Sequence, residues 1–311
     1  MKKQIIVLIV LILFVSGSIV AGPVEVKRIS ADANWFVRID CERFFKSSLG
    51  DILKTHLAEE SNAQKLGDFE KVFGFNPIED IRSVMTYGQG DDREKGIVLI
   101  EGEFDKEKLV ALIGAKPEYK KLEYSGLEIH KWLQEHKNPM GQTERQITYG
   151  CSYGDDLIIL GSGLPAFKQA IDVLKGSAPG ADSDVFNDDL LDNAFFQVAA
   201  KDVAKSVGDK PRAALLRQTD RLVIAVSEVG DNILSAVNLT AKSEETAGYI
   251  KKMIEGIIAN IALDSGKDPI AAKLAQKIQI SGSGSEIQIR LEQDSLLAGH
   301  IISSRIANTE N

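Results

Sequence analysis

The residues best suited to chemistry lie between positions 128 and 136. Glu128, His130 and Trp132 alternate along a predicted strand and so share one face of it, and His136 follows just past its end. A carboxylate and two imidazoles can bind a divalent cation, and an exposed tryptophan can anchor a ligand or a partner. The alternative is a strand face open to water, with Trp132 packed in the core. We therefore treat these four as candidate binding residues and predict no metal site.

Other catalytic patterns are missing from the sequence. Gly161-Ser162-Gly163 follows a predicted strand, but the further glycines or the lysine of a phosphate-binding loop do not follow it. No His-Glu-x-x-His, Cys-x-x-Cys or Gly-x-Ser-x-Gly pattern occurs. Paired carboxylates such as Asp91-Asp92 lie in predicted turns, where acidic side chains are hydrated. The sequence therefore predicts no catalytic residues and no cofactor.

The N-terminus has the pattern of a secretory signal peptide. Lys2 and Lys3 precede an unbroken apolar run, Ile5–Val15, and small residues at Val20-Ala21-Gly22 suit a signal peptidase. An uncleaved anchor is the alternative, but spanning a bilayer takes about 20 apolar residues. We predict that residues 1–21 are removed, that the protein is exported to the periplasm or beyond, and that no stable membrane span remains.

The overall charge limits the partners. The formal net charge is −8, and removing Lys2 and Lys3 brings it to −10. An acidic chain repels the phosphates of nucleic acid and the surface of anionic lipid. Aromatic residues make up 6% of the chain, fewer than a sugar-binding groove usually contains. We therefore predict no nucleic-acid partner and leave an envelope protein or a small hydrophobic ligand as candidates.

The chain has two cysteines, Cys41 and Cys151, and export would allow them to pair. Two free, buried thiols are the alternative, because sequence does not show whether the two Cα atoms come close enough. With at most one disulfide, the fold must depend on a hydrophobic core.

The elements that position these residues follow a repeated order of strand, helix, hairpin, helix, hairpin and helix. Residues 22–176 form the first half, 177–190 a linker that begins with the turn-forming cluster Ser177-Ala178-Pro179-Gly180, and 191–311 the second half. This order resembles split βαβ modules. We predict an α+β fold of two related halves, each an antiparallel-rich sheet with helices on one face, and a single sheet if the halves join edge to edge.

Several elements bear on a ligand site. Glu42–Leu57 and Phe69–Phe75 are predicted helices, and His136–Glu144 is a predicted polar loop. The longest predicted helix, Ser243–Leu263, has a broad isoleucine stripe that we expect to pack on the sheet. The alternative is that this stripe lines a groove for lipid or a partner helix.

Two stretches resemble a set of uncharacterised exported bacterial proteins. One is Ala31-Asp32-Ala33-Asn34-Trp35 with Ile39-Asp40 and Ser47–Gly50, and the other is Phe73–Ile81 with Tyr87-Gly88. The resemblance covers about the first 90 residues and implies export, but it implies no activity. Our leading hypothesis is a non-catalytic binding or structural module of the envelope. The alternatives are an enzyme with a site between the halves and a carrier of lipid or another hydrophobic ligand.

Overall fold

Twelve antiparallel strands form one continuous sheet in the computed structural model, which describes residues 25–137, 143–182, 186–206, 216–263 and 269–299. The order across the sheet is β11-β12-β10-β9-β8-β1-β2-β3-β7-β6-β5-β4. The α+β class predicted from the sequence is confirmed. The predicted signal peptide, residues 1–21, lies outside the described residues.

The strands are β1 Trp35–Asp40, β2 Ile81–Gly88, β3 Ile97–Gly102, β4 Lys120–Tyr124, β5 Leu127–Lys137, β6 Thr143–Tyr153, β7 Leu157–Gly161, β8 Phe196–Lys201, β9 Thr219–Val229, β10 Asn232–Ala241, β11 Gln279–Ser281 and β12 Glu286–Asp294. The helices are α1 Cys41–Lys46, α2 Ser48–Leu57, α3 Glu60–Phe73, α4 Lys106–Gly114, α5 Leu164–Leu174, α6 Val203–Ser206, α7 Glu244–Leu263 and α8 Pro269–Ala275.

The two halves join through their first strands. β1 pairs with β8 in antiparallel register, with Trp35 opposite Ala200 and Ile39 opposite Phe196. Outward from this junction the order β1-β2-β3-β7-β6 recurs as β8-β9-β10-β12-β11, and the hairpin β5-β4 extends the first half. The pairing removes two exposed strand edges and makes one sheet of the two halves.

Both faces of the sheet are covered in the first half. Alternation along β1 puts Phe36 on one face and Ile39 on the other. Phe36 belongs to the largest core cluster with Phe167 and Ile171 of α5, whereas Ile39 packs with Cys41 and Val84. Helices therefore cover both the Phe36 face and the Ile39 face of the first half, rather than the single face expected from the sequence.

Local sequence explains where several helices begin and end. The helix predicted over 42–57 is interrupted at Ser47, which has an extended backbone. The Ser47 hydroxyl accepts from the Gly50 amide and so caps the start of α2. The helix predicted from Phe69 begins earlier, at Glu60, and ends at Gly74, whose φ of +79° is the left-handed conformation that glycine adopts without strain.

The loop predicted over 136–144 is shorter in the structure. β5 continues through Lys137 and β6 resumes at Thr143, so His136 lies on a strand, with Glu144 opposite it. Residues 138–142 lie outside the described residues. The polar composition that predicted a loop is that of an exposed two-stranded ribbon, where pairing with a neighbouring strand outweighs propensity.

The long helix α7 packs on the sheet only through its first part. Ala247 and Ile250 are buried and Ile254 is partly so, but Ile257 and Ile261 are exposed. The prediction that the whole isoleucine stripe packs on the sheet is therefore wrong for its C-terminal half. None of the helices within the described residues is both long and apolar enough to cross a membrane.

Candidate ligand-binding site

An apolar cavity of about 300 Å³ lies in the first half, between the Ile39 face of the sheet and the helices α3 and α4. Strands β2, β3, β7, β6 and β5 form its floor, with Val84, Ile100 and Leu160 among the lining side chains. Protein interiors contain few voids larger than a water molecule. An apolar cavity of about 150 Å³ can bind benzene, and the cavity here has roughly twice that volume.

Phenylalanines form one wall of the cavity. Phe69 and Phe73 stack at 4.4 Å between ring centroids, and Phe75 meets Phe69 and Phe104 edge to face at 5.2 and 5.4 Å. The left-handed Gly74 turns the chain between Phe73 and Phe75, so that both rings contribute to the same wall.

Helix α4 covers the cavity without being tightly packed itself. Asp105 caps it by accepting from the Lys108 amide, and Leu109, Val110 and Ile113 point apolar side chains at the cavity. None of the residues of α4 is fully buried. A helix with so little buried area is one of the less firmly held parts of a fold.

Two of the four candidate residues line this cavity, His130 and Trp132. The His130 ring stacks on Tyr119, with 3.0 Å between its Nδ1 and the Tyr119 hydroxyl. The Trp132 ring lies over Gly150, where a Cβ atom would come within 3.1 Å of it, and its Nε1 donates to Gln134 at 3.3 Å. Glycine at position 150 therefore makes room for the indole ring in the floor.

The other two candidates do not join them. Glu128 is half exposed and pairs with Lys121, and its oxygen is 3.6 Å from His130 Nε2. His136 lies further along β5, with Glu144 opposite it. Among the described residues no group of three or more His, Cys, Asp or Glu side chains could hold a metal ion.

Two ionisable groups at or beside the cavity, His130 and Glu128, have shifted pKa values. Burial lowers the pKa of His130 below its usual value, and the nearby Glu128 opposes this shift. The pKa of Glu128 is lowered, chiefly by its hydrogen bond with Lys121. A carboxyl group that donates a proton at neutral pH needs a raised pKa, which Glu128 does not have. No carboxylate is among the described residues that line the cavity.

The lowered pKa of His130 predicts a pH effect on stability. Between its unfolded pKa, about 6.5, and its lower folded pKa, the unfolded chain binds more protons, so stability falls as pH falls through this window. When the pH is lowered from about 7.5 to 5.5, we expect the free energy of unfolding of His130→Gln to fall less than that of the parent. Urea unfolding at both pH values measures this difference. Equal falls in the free energy of unfolding of the two proteins would contradict a lowered pKa of His130 in the folded state.

Cys41 and Cys151 are free and buried, so the disulfide considered from the sequence is not formed. Burial raises the pKa of each thiol to about 12. Their different core clusters explain the lack of pairing, since Cys41 packs with Ile39 and Cys151 with Ile159. Thiolate is the reactive form, so both thiols are inert at neutral pH.

Sequence reasoning missed most of the cavity. The sequence predicts only a helix over Phe69–Phe75, although its three phenylalanines fall within seven positions. This cluster of aromatic residues was the feature of the sequence that could have indicated an apolar cavity. The cavity is also lined by α3 and α4 rather than by the long helix α7, which the carrier hypothesis had assigned to it.

A more polar groove of about 400 Å³ adjoins the cavity on the same face of the sheet. Leu160 lines both spaces. Trp35, Thr86, Val98 and Thr148 line the groove, and Asp91 and Asp92 lie at its rim. The cavity and the groove therefore occupy neighbouring parts of one surface.

Comparison with known proteins shows the fold alone. No family model matches the chain, and no curated protein sequence matches it. The chain is similar to the solved structure of crystal form III of TP0453, with 10% identity and a TM-score of 0.50 over 91% of this chain and 98% of that one. Crystal form IV of TP0453 matches with a TM-score of 0.48, over 90% of this chain and 96% of that one.

Proposed function

We propose that the protein is an exported, non-catalytic binding module that holds a hydrophobic ligand in the cavity of its first half. The cavity carries this proposal, because its described lining is almost wholly apolar and includes Phe73, Phe104 and Trp132. Ligand pockets have volumes of about 300–1,000 Å³, are mostly apolar and contain few polar groups. The signal peptide predicted from the sequence supports export.

The enzyme hypothesis fits the arrangement less well. It required a site between the halves, but Glu128, His130 and Trp132 lie on β5, six strands away from β8 in the sheet. A carboxyl group acting as a general acid in such a site would have to be buried with a raised pKa, whereas Glu128 is half exposed and paired with Lys121. The contacts of His130, with Tyr119 on one ring nitrogen and Glu128 near the other, orient the ring.

Filling the cavity tests the proposal. Val110 on α4 lines it, and replacing Val110 by phenylalanine puts a ring into space that the ligand would occupy. We expect the parent to bind the neutral fluorescent probe N-phenyl-1-naphthylamine, and Val110→Phe to bind it at least about tenfold more weakly, a loss of about 1.4 kcal/mol. Titration of the probe's fluorescence gives both affinities.

Val72 offers a matched control, because it is an exposed valine on α3, next to Phe73 of the cavity wall. Val72→Phe adds the same volume outside the cavity and should bind the probe like the parent. The proposal fails if the parent does not bind the probe, or if Val110→Phe binds it as tightly as Val72→Phe does.

A further inference from the structure

The cavity and the groove form a continuous path across the sheet. On the Ile39 face, Thr86 lies opposite Val98, Val98 opposite Leu160 and Leu160 opposite Gly150. This row of neighbours begins in the groove and ends in the cavity. The next row joins them again, because Thr148 of the groove lies opposite Trp132 of the cavity. A ligand that occupies both spaces would lie along these rows.

The groove differs from the cavity in its chemistry. Thr86 and Thr148 bring hydroxyl groups to it and Gln146 brings an amide, and all three side chains are partly exposed. These groups can both donate and accept hydrogen bonds. The path therefore changes from apolar in the cavity to neutral and hydrogen-bonding in the groove.

Trp35 gives the groove one aromatic surface. Its Nε1 donates to the Gly90 carbonyl at 2.9 Å, which fixes the orientation of the indole at the groove. The face of an aromatic ring has negative electrostatic potential and attracts polarised C–H groups. Trp35 therefore offers one aromatic face, which a single small ring of a head group can cover.

The charge at the groove disfavours an anion. Asp91 and Asp92 are exposed at its rim, and no lysine or arginine is among the described residues that line it. A phosphate or carboxylate head would meet like charge there without a cation to pair with. A neutral head with several hydroxyl groups meets no such repulsion and can pair with Thr86, Thr148 and Gln146.

We propose, resting on the function proposed above, that the ligand is an amphiphile with one alkyl chain in the cavity and an uncharged, hydroxyl-rich head in the groove. Alkyl glycosides represent this chemistry. The cavity supplies affinity through apolar burial, and the groove supplies selectivity through hydrogen bonds and the absence of positive charge.

Three probes with the same chain length separate the two spaces: 1-octanol, octyl glucoside and octyl phosphate, each below its micelle-forming concentration. Calorimetric titration of the full mature chain should show that octyl glucoside binds more tightly than 1-octanol. Octyl phosphate should bind at least about tenfold more weakly than octyl glucoside, because the carboxylates of Asp91 and Asp92 repel its phosphate.

Two variants test the groove directly. Thr86→Val and Thr148→Val remove a hydroxyl group and keep a β-branched side chain that suits a strand. Each should weaken octyl glucoside binding about three- to tenfold and leave 1-octanol binding unchanged. Thr143→Val, at an exposed position on the same strand as Thr148, should change neither affinity.

The outcomes separate the two proposals. If 1-octanol binds but octyl glucoside has no advantage over octyl phosphate, or the Thr86 and Thr148 variants bind octyl glucoside as the parent does, the head-group inference fails and the cavity stands. If 1-octanol itself does not bind, the proposed function fails and the head-group inference fails with it. Unchanged 1-octanol binding by the variants shows that they are folded.

Discussion

Replacing Arg38 by alanine is expected to lower the free energy of unfolding by about 3–5 kcal/mol. Arg38 is 3% exposed and Asp40 1% exposed, and an Arg38 guanidinium nitrogen is 3.5 Å from the Asp40 carboxylate. Burial lowers the pKa of Arg38, and Asp40 and Glu101 oppose that shift. Without this cation, the negative charge of Asp40 stays buried with much less compensation, which is the costly half of breaking a buried ion pair.

The position of Arg38 makes this loss informative about the fold. Its guanidinium also donates to Gln197 of β8 at 3.4 Å, across the strand pair that joins the two halves. Gln197 in turn donates to the carbonyls of Leu191 and Ala194 at 2.8 and 2.9 Å. A buried polar network is satisfied only in one register, so it favours this pairing of β1 with β8 over a shifted one.

Urea unfolding followed by circular dichroism measures the effect, and Arg145→Ala is the matched control. Arg145 is exposed and pairs with Glu135 on the surface, so its loss should cost no more than about 1 kcal/mol. If Arg38→Ala and Arg145→Ala are equally stable, the buried network does not hold the junction. Replacing Arg38 and Asp40 together by apolar residues leaves no unpaired charge, so it should lower the free energy of unfolding by less than Arg38→Ala alone. The double replacement also removes the Asp40 cap of α1, and that loss has to be added.

Features encoded within a few residues were predictable from the sequence. Short patterns in the sequence predict a strand over Trp35–Asp40, a helix capped by Asp105 and a helix stop at Gly74, and the structure has all three. The repeated order of elements was also visible, because hydrophobic periodicity alternates in the same way in both halves. Edge-to-edge joining of the halves was one option from the sequence, and the structure adds that the joining strands are β1 and β8.

Features that depend on long-range contacts were not predictable. Phe69 and Phe104 are 35 positions apart, and only the packing of α3 beside α4 brings their rings to one wall. Trp132 and His130 were singled out for their residue types, but periodicity did not show that a cavity lay above them. The stripe of α7 shows the converse, since helical spacing predicts which side chains share a face and not how far the sheet extends beneath it.

Replacing Phe186 by alanine is expected to lower the free energy of unfolding by about 3–5 kcal/mol, because the ring is 1% exposed and large-to-small changes in a core cost that much. Phe186 falls in the stretch 177–190 that composition marked as a linker. Its ring meets Phe36 of β1 edge to face at 5.3 Å. The same stretch is tied to the start of the chain, where the Ala181 amide donates to the Ile29 carbonyl at 2.7 Å.

A flexible linker and a packed segment give different results for this variant. A true linker tolerates alanine at any position, whereas a segment that completes the Phe36 face loses core packing and leaves a cavity beside Phe36. Tyr249→Ala, at an exposed aromatic residue of α7, is the matched control and should change stability by no more than about 0.5 kcal/mol. Equal stabilities of Phe186→Ala and Tyr249→Ala in urea unfolding would restore the linker interpretation. The expected loss would show instead that the connection between the halves is part of the core, so that the first half, with its cavity, depends on residues beyond its own last helix.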